Sequence, residues 1–253
     1  ISLAEFKTLC GKMDAANPKA SNVSEYLQGT ANWRTDLYAS CGTLMTHAES
    51  IDLIDSLGAK FTPELKTPSV KMPFDGFSQA DFARKMLAEY TAAGIAPARV
   101  WPQSFNREDL ALWLTQAPEF AKQAILLDDE VDDRENFKPS VDYFKSLKAR
   151  GINIIAPPIW ALLALDDKNA LIASTYARNA RAAGLDIITW SLERSGPLKN
   201  GGGWYYQSVR KGITGDGDEL RALDVLAQDV GVIGVFSDWP ATVTYYANCM
   251  GIR

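Results

Sequence analysis

From residue 46 onward, apolar and polar positions repeat one phrase: a helix with an apolar face, a glycine, then a short β-branched strand. Gly58, Gly94, Gly151, Gly184 and Gly231 each stand where a helix C-terminus takes a left-handed residue. The strands read from this pattern are Lys60 to Leu65, Ala98 to Phe105, Ala124 to Asp129, Ile152 to Pro157, Asp186 to Ser191 and Val232 to Ser237. Such alternation predicts an α/β fold in which a parallel sheet is covered by helices.

Helix starts are marked by their caps. Thr46 with Glu49, and Ser78 with Asp81, form capping boxes ahead of apolar faces; Asn106 with Asp109 precedes Leu110, Trp113 and Leu114. Ser174 opens a helix running to Arg181, Asp218 or Glu219 begins the next, and Pro240 sits in the first turn of the last. The first 45 residues show a helix from Leu3 to Met13, then a polar stretch from Asp14 to Asn32 without a clear strand. Six βα units of this size fit a doubly wound sheet or an incomplete (β/α)8 barrel, since a full barrel takes about 250 residues and eight strands.

At 253 residues and 47% hydrophobic content the chain suits one large domain, 1–253. Its net charge of -5 argues against binding to nucleic acid or an anionic membrane, which needs clustered positive charge. No apolar run is long enough for a membrane-spanning helix, so no stable membrane insertion is expected. The chain begins at Ile1, which is read as the start of a processed, trimmed or partial sequence. Cys10, Cys41 and Cys249 lack the spacing of a zinc site; three buried or half-buried thiols are expected, with a Cys10–Cys41 disulfide as the alternative in an oxidising compartment.

In a parallel sheet, side chains at the C-terminal strand ends converge on one mouth. Here they are Glu64 and Lys66, Gln103 and Phe105, Asp128, Trp190 and Asp238. Glu64 and Lys66 are two apart, so both point to the same side of their strand. A carboxylate suits a hard divalent cation and an ammonium suits a phosphate; an internal ion pair is the structural alternative. The loop "LERSGPLKNGGGWYYQSVRKGITGDG", residues 192 to 217, follows the fifth strand and reads equally as a lid or a plain surface excursion. The acidic run "LDDEVDD", 127 to 133, lacks calcium-loop spacing and reads as a solvated loop with Asp128 facing the mouth.

The segments "FTPELK", "PQSF", "IITWSLERSGPL" and "VFSDWPATVTYYANC", in this order and at these intervals, resemble the later three quarters of a glycerophosphodiester phosphodiesterase. The resemblance implies a (β/α)8 barrel that hydrolyses a small glycerophosphodiester to glycerol 3-phosphate and an alcohol with a divalent cation, calcium or magnesium. It assigns Glu64 to the metal, Lys66 to the phosphate and Trp190 to the glycerol end, with Gln103 and Phe105 also contacting substrate. Ser237-Asp238-Trp239-Pro240 resembles the family's final-strand pattern.

The family's His-Arg-Gly, Pro-Glu-Asn-Thr, Glu-x-Asp and His-Asp elements are not in the sequence, so the barrel is expected to lack its first two βα units. His47 is the single histidine and matches no catalytic position; it reads as a solvated helix-start residue. No catalytic residue is therefore assigned in this chain, and the chain alone is expected to be inactive. A non-catalytic phosphate-ester-binding relative is the alternative. Relatives with the long fifth loop are often exported, so a periplasmic or secreted location is expected, with cytoplasm as the alternative.

Overall fold

The computed structural model describes residues 1–11, 17, 19–27, 42–133 and 135–252. The chain divides into two compact units, Ile1–Ala59 and Lys60–Arg253.

The first unit contains α1 (Leu3–Phe6), α2 (Val23–Leu27) and α3 (His47–Ser56). Ser2 with Glu5, and Thr46 with Glu49, form reciprocal capping boxes at α1 and α3. The helix expected from Leu3 to Met13 ends at Phe6, because Gly11 leaves the helical path to exchange backbone hydrogen bonds of 2.8 and 2.7 Å with Gly42. Met13 lies outside the described residues, as do 14–16, 18 and 28–32 of the polar stretch. Cys10 is disulfide-bonded, Cys249 is an exposed free thiol, and Cys41 lies outside the described residues.

The second unit is the repeating α/β body. Its helices are α4 (Gln79–Ala92), α5 (Arg107–Gln116), α6 (Pro118–Ala121), α7 (Val141–Ala149), α8 (Ile159–Leu162), α9 (Thr175–Ala182), α10 (Asp218–Asp224) and α11 (Pro240–Met250). Its strands are β1 (Gln103–Ser104), β2 (Ile125–Leu127), β3 (Ile154–Ala156), β4 (Leu163–Leu165), β5 (Leu171–Ala173), β6 (Asp186–Thr189) and β7 (Gly234–Val235). The main sheet is parallel in the order β1-β2-β3-β6-β7, and the segment 60–65 adds to β1 through parallel bridges at Phe61–Val100 and Glu64–Gln103. All six regions expected as strands thus take their places in chain order.

The first pairing shows why the strand at 60–65 is broken into bridges. Phe61 N–H donates to Arg99 O and Leu65 N–H to Gln103 O, at 2.9 and 2.8 Å, while Trp101 and Gln103 donate back to Phe61 O and Pro63 O. The rung a residue at 63 would donate is missing because proline has no N–H. The ladder resumes two residues later.

Alternation sorts the side chains. Phe61 and Leu65 are buried, whereas Thr62, Glu64 and Lys66 take the other face. Ile125, Leu127, Ile154 and Ala156 form the inner cluster, joined by Trp101, Ile188 and Trp190. A cavity of about 610 Å³ is lined from both ends of the sheet, by Lys60 to Thr62 and by Ile233 to Ser237. Among the described residues no hydrogen-bonded pairing joins these end strands, so the sheet they form is not a closed barrel.

The five glycines expected after helices all have positive φ, from 68° to 89°. An antiparallel hairpin, β4–β5, is an addition to the expected pattern; its turn is held by Asp166, which accepts from Lys168 N–H and Ala170 N–H at 2.8 and 2.7 Å. Past α10 the helix widens into a π-helix, Val225–Val230, before Gly231.

Candidate active-site mouth

Glu64 and Lys66 share one face and one ion pair. Lys66 Nζ lies 2.9 Å from Glu64 Oε1, with the lysine side chain 77% exposed and the glutamate 27%. An ion pair this open contributes only about 0–1 kcal/mol, so an incoming anion or cation exchanges with it at little cost. Gln103 stands opposite Glu64 on β1 and is buried; its Nε2 donates to Thr62 O at 3.2 Å, which ties down the segment that carries Glu64.

Phe105 and Trp190 meet at the mouth, ring centroids 6.0 Å apart and nearly perpendicular. Trp190 Nε1 donates to Ala156 O at 2.7 Å, which fixes the indole across the end of β3. Glu64, Lys66, Gln103, Phe105 and Trp190 are thus brought to the same end of one sheet.

Asp128 does not face the mouth. Leu127 belongs to the inner cluster, so its neighbour points to the opposite side, where Tyr176 of α9 donates to Asp128 Oδ2 at 2.5 Å and Glu130 N–H donates to Oδ1 at 3.1 Å. Burial raises the Asp128 carboxyl above its ordinary range, opposed by the Tyr176 hydrogen bond. Asp109, paired in the sequence with Asn106 as a cap, is also diverted: Asn106 accepts from Glu108 N–H, while the buried Asp109 accepts from Ser104 Oγ at 2.8 Å and from Gln79 Nε2. His47 is the first residue of α3 in the first unit and is half-buried.

Three residues to which the sequence assigned no role, Glu193, Trp204 and Tyr205, complete the mouth. Glu193, almost fully buried, accepts from Ser237 Oγ at 2.7 Å and from Asp238 N–H at 2.9 Å, so the long loop and the last strand end are clamped together. Asp238 lies 3.9 Å from Arg194. Trp204 and Tyr205 come from the middle of the loop and pack on Trp190, at 5.8 and 6.0 Å. Only the clustering of glycine and aromatics in "GGGWYY" signals them.

That loop is packed rather than a surface excursion. Leu192, Tyr206 and Val209 are fully buried, and Tyr206 Oη donates to Leu192 O at 2.8 Å. Gly202 is required here: its φ is +69°, and a Cβ would fall 2.4 Å from Tyr206 Cβ. Downstream, burial pushes Glu219 up to about 7, assisted by the negative charges of Glu193 and Asp216. Next to it, burial would also raise Asp218, but backbone N–H donors of Thr214 and Gly215 together with Arg221 hold it at about 2.

Among the described residues no group of three or more His, Cys, Asp or Glu side chains could hold a metal ion. Glu64 is a single carboxylate, and a hard cation takes six or more oxygens, so this mouth does not by itself fit calcium or magnesium.

No family model matches the chain. A curated relative, "Extracellular protein" of Arthroderma benhamiae, is 48% identical over 245 residues, which are 95% of this chain and 100% of that protein. The chain belongs to the family of this fungal protein. Among solved structures it is similar to proteins bearing glycerophosphodiester phosphodiesterase names. One from Silicibacter pomeroyi DSS-3 has 18% identity and a TM-score of 0.54, covering 81% of this chain and 57% of its own. Another, from Parabacteroides distasonis ATCC 8503, has 12% identity and a TM-score of 0.54, covering 92% and 77%. A third, from Agrobacterium tumefaciens, has 16% identity, a TM-score of 0.54 and coverage of 86% and 69%. At these identities the likeness establishes the fold, an α/β body with a mainly parallel sheet like that of those enzymes.

Proposed function

We propose that the mouth binds the phosphate and glycerol of a glycerophosphodiester, and that the protein acts in its hydrolysis to glycerol 3-phosphate and an alcohol. The observation that carries this reading is the Glu64–Lys66 pair, held on the inner face opposite Gln103 and at the same end of the sheet as Phe105 and Trp190. The exposed Lys66 ammonium is free to turn to a phosphate oxygen, and the apolar faces of Phe105 and Trp190 suit the carbon skeleton of glycerol.

Hydrolysis needs a group to protonate the departing alkoxide and, in the phosphodiesterases it resembles, a divalent cation. Glu64 offers one ligand to such a cation; the described residues of the mouth supply neither its other ligands nor a histidine. That observation favours a second reading, in which the chain binds phosphate esters without turning them over.

Calorimetric titration with glycerol 3-phosphate, together with phosphorus NMR of glycerophosphocholine incubated with calcium or magnesium, tests both. Saturable binding that Lys66→Ala weakens supports the site, and turnover separates the enzyme from the binder. Unchanged affinity in the variant overturns both. We also propose secretion, supported by the name of the fungal relative and by the disulfide at Cys10, since disulfides persist in oxidising compartments. Among the described residues no helix is long and apolar enough to cross a membrane.

A further inference from the structure

Asn22-Val23-Ser24 is the one place in the 253 residues where an asparagine is followed two positions later by serine or threonine with no proline between them. This is the acceptor pattern for N-linked glycosylation. It lies in the first unit, and the phosphodiester reading makes no use of it.

Such a pattern marks a site only where the fold has room for a sugar. Every residue from Ser21 to Tyr26 is exposed. The turn also orients the amide. Asn22 Oδ1 accepts from Glu25 N–H at 3.0 Å, so the oxygen faces the first turn of α2. Glu25 in turn accepts from Ser21 N–H and Ser21 Oγ at 2.8 and 2.9 Å, which fixes the same turn from the other side.

With its oxygen held inward, the planar amide turns its nitrogen away from the helix. Among the described residues Nδ2 makes one long contact, 3.4 Å to Ser21 Oγ. The capping atom and the acceptor atom are therefore different atoms. A sugar on Nδ2 replaces one of its two N–H bonds and leaves the hydrogen bond from Glu25 intact.

The surface around the amide is apolar. Val23 is 74% exposed and Tyr26 49%, and their spacing of three sets them side by side on α2. Tyr26 lies one turn beyond Asn22, its N–H donating to Asn22 O at 3.0 Å. A bulky, hydroxylated glycan at Asn22 shields both side chains from water and keeps this patch soluble.

We propose that Asn22 carries an N-linked glycan, transferred from a lipid-linked oligosaccharide pyrophosphate in a eukaryotic secretory pathway. In the transfer Nδ2 loses a proton and bonds to the anomeric carbon of the first sugar, whose bond to the pyrophosphate oxygen breaks, and the lipid pyrophosphate leaves. The inference rests on the secretion proposed above and is independent of the phosphodiester reading.

The test is peptide mass spectrometry of the whole chain recovered separately from the culture medium and from the cells of its natural source, before and after enzymatic release of N-glycans in heavy-oxygen water. The peptide containing Asn22 is expected as a glycopeptide in the medium, and release is expected to convert Asn22 to aspartate bearing heavy oxygen. For chains expressed in the same host, release is expected to lower the apparent mass of wild type and Ser24→Thr but not of Ser24→Ala. Ser24→Thr keeps the acceptor pattern, which separates that pattern from a packing role of the serine. An unmodified Asn22 in exported, disulfide-bonded protein overturns the proposal and leaves secretion standing. A glycan that persists in Ser24→Ala overturns the assignment to Asn22. Protein confined to the cells with Cys10 reduced removes the secretion reading, and the proposal with it.

Discussion

Glu64 and Gln103 face each other across the first parallel pairing of the sheet, and the Gln103 amide fastens the Glu64 strand by donating to Thr62 O at 3.2 Å. Gln103 Oε1, by contrast, is buried with no hydrogen-bond partner among the described residues. Replacing the side chain with leucine therefore loses one bond and removes one unsatisfied acceptor, two effects of opposite sign. We expect Gln103→Leu to change unfolding free energy by less than about 1 kcal/mol while weakening glycerol 3-phosphate binding. A stability loss above about 2 kcal/mol in urea would show Gln103 to be a fold residue first.

Asp109 makes the opposite case. It is buried, accepts from Ser104 Oγ and Gln79 Nε2, and joins β1 to α4 and α5. Asp109→Ala leaves the Gln79 amide without this acceptor and Ser104 Oγ with Leu65 O alone, at 3.2 Å, and a loss of about 1–3 kcal/mol is expected, with Asp109→Asn milder. Urea unfolding of the three proteins decides it; equal midpoints for Asp109→Ala and wild type would contradict the role.

Glu219 couples stability to pH. Its folded carboxyl is raised to about 7, so between about pH 4.5 and 7 the native state holds a proton that the unfolded chain has released. Stability contributed by the neutral form is present at acid pH and falls as pH rises through that window. Glu219→Gln should abolish this slope and raise stability at pH 8 by about 1–2 kcal/mol, a figure reduced for the half-buried position. Thermal unfolding at pH 5 and pH 8 measures both, and parallel pH profiles for wild type and variant would refute it.

Cysteine chemistry gives a direct count. Cys249 is exposed and free, and Cys10 is disulfide-bonded. Thiol titration of the unreduced protein is expected to find one reactive group per chain, abolished by Cys249→Ser, and reduction to release further thiols. A count of three before reduction would remove the disulfide support for secretion.

The strand positions were legible because each unit repeats a capped helix, a glycine and an apolar strand, signals that act within a few residues; the repeat alone fits a doubly wound sheet as well as a barrel, so it does not set their order. The placement of Glu64, Lys66 and Trp190 at strand ends was legible through their motifs. Asp128 misled because a strand-end carboxylate looks the same whichever face it takes; the parity set by Leu127 and the Tyr176 hydroxyl decide it. Glu193, Trp204 and Tyr205 owe their places to packing between a long loop and distant strand ends, which no local spacing records. The β4–β5 hairpin was hidden in an apolar run that suits helix and strand alike.

The most direct test of the account is glycerol 3-phosphate binding by calorimetry to wild type, Lys66→Ala and Glu64→Gln. The account predicts saturable binding to wild type, weakened at least about tenfold by Lys66→Ala, as expected for loss of a charge-assisted contact. Glu64→Gln, which frees Lys66 from its ion pair, should bind the anion at least as tightly when no divalent cation is added. Identical affinity in all three proteins would contradict the claim that this pair forms the phosphate site.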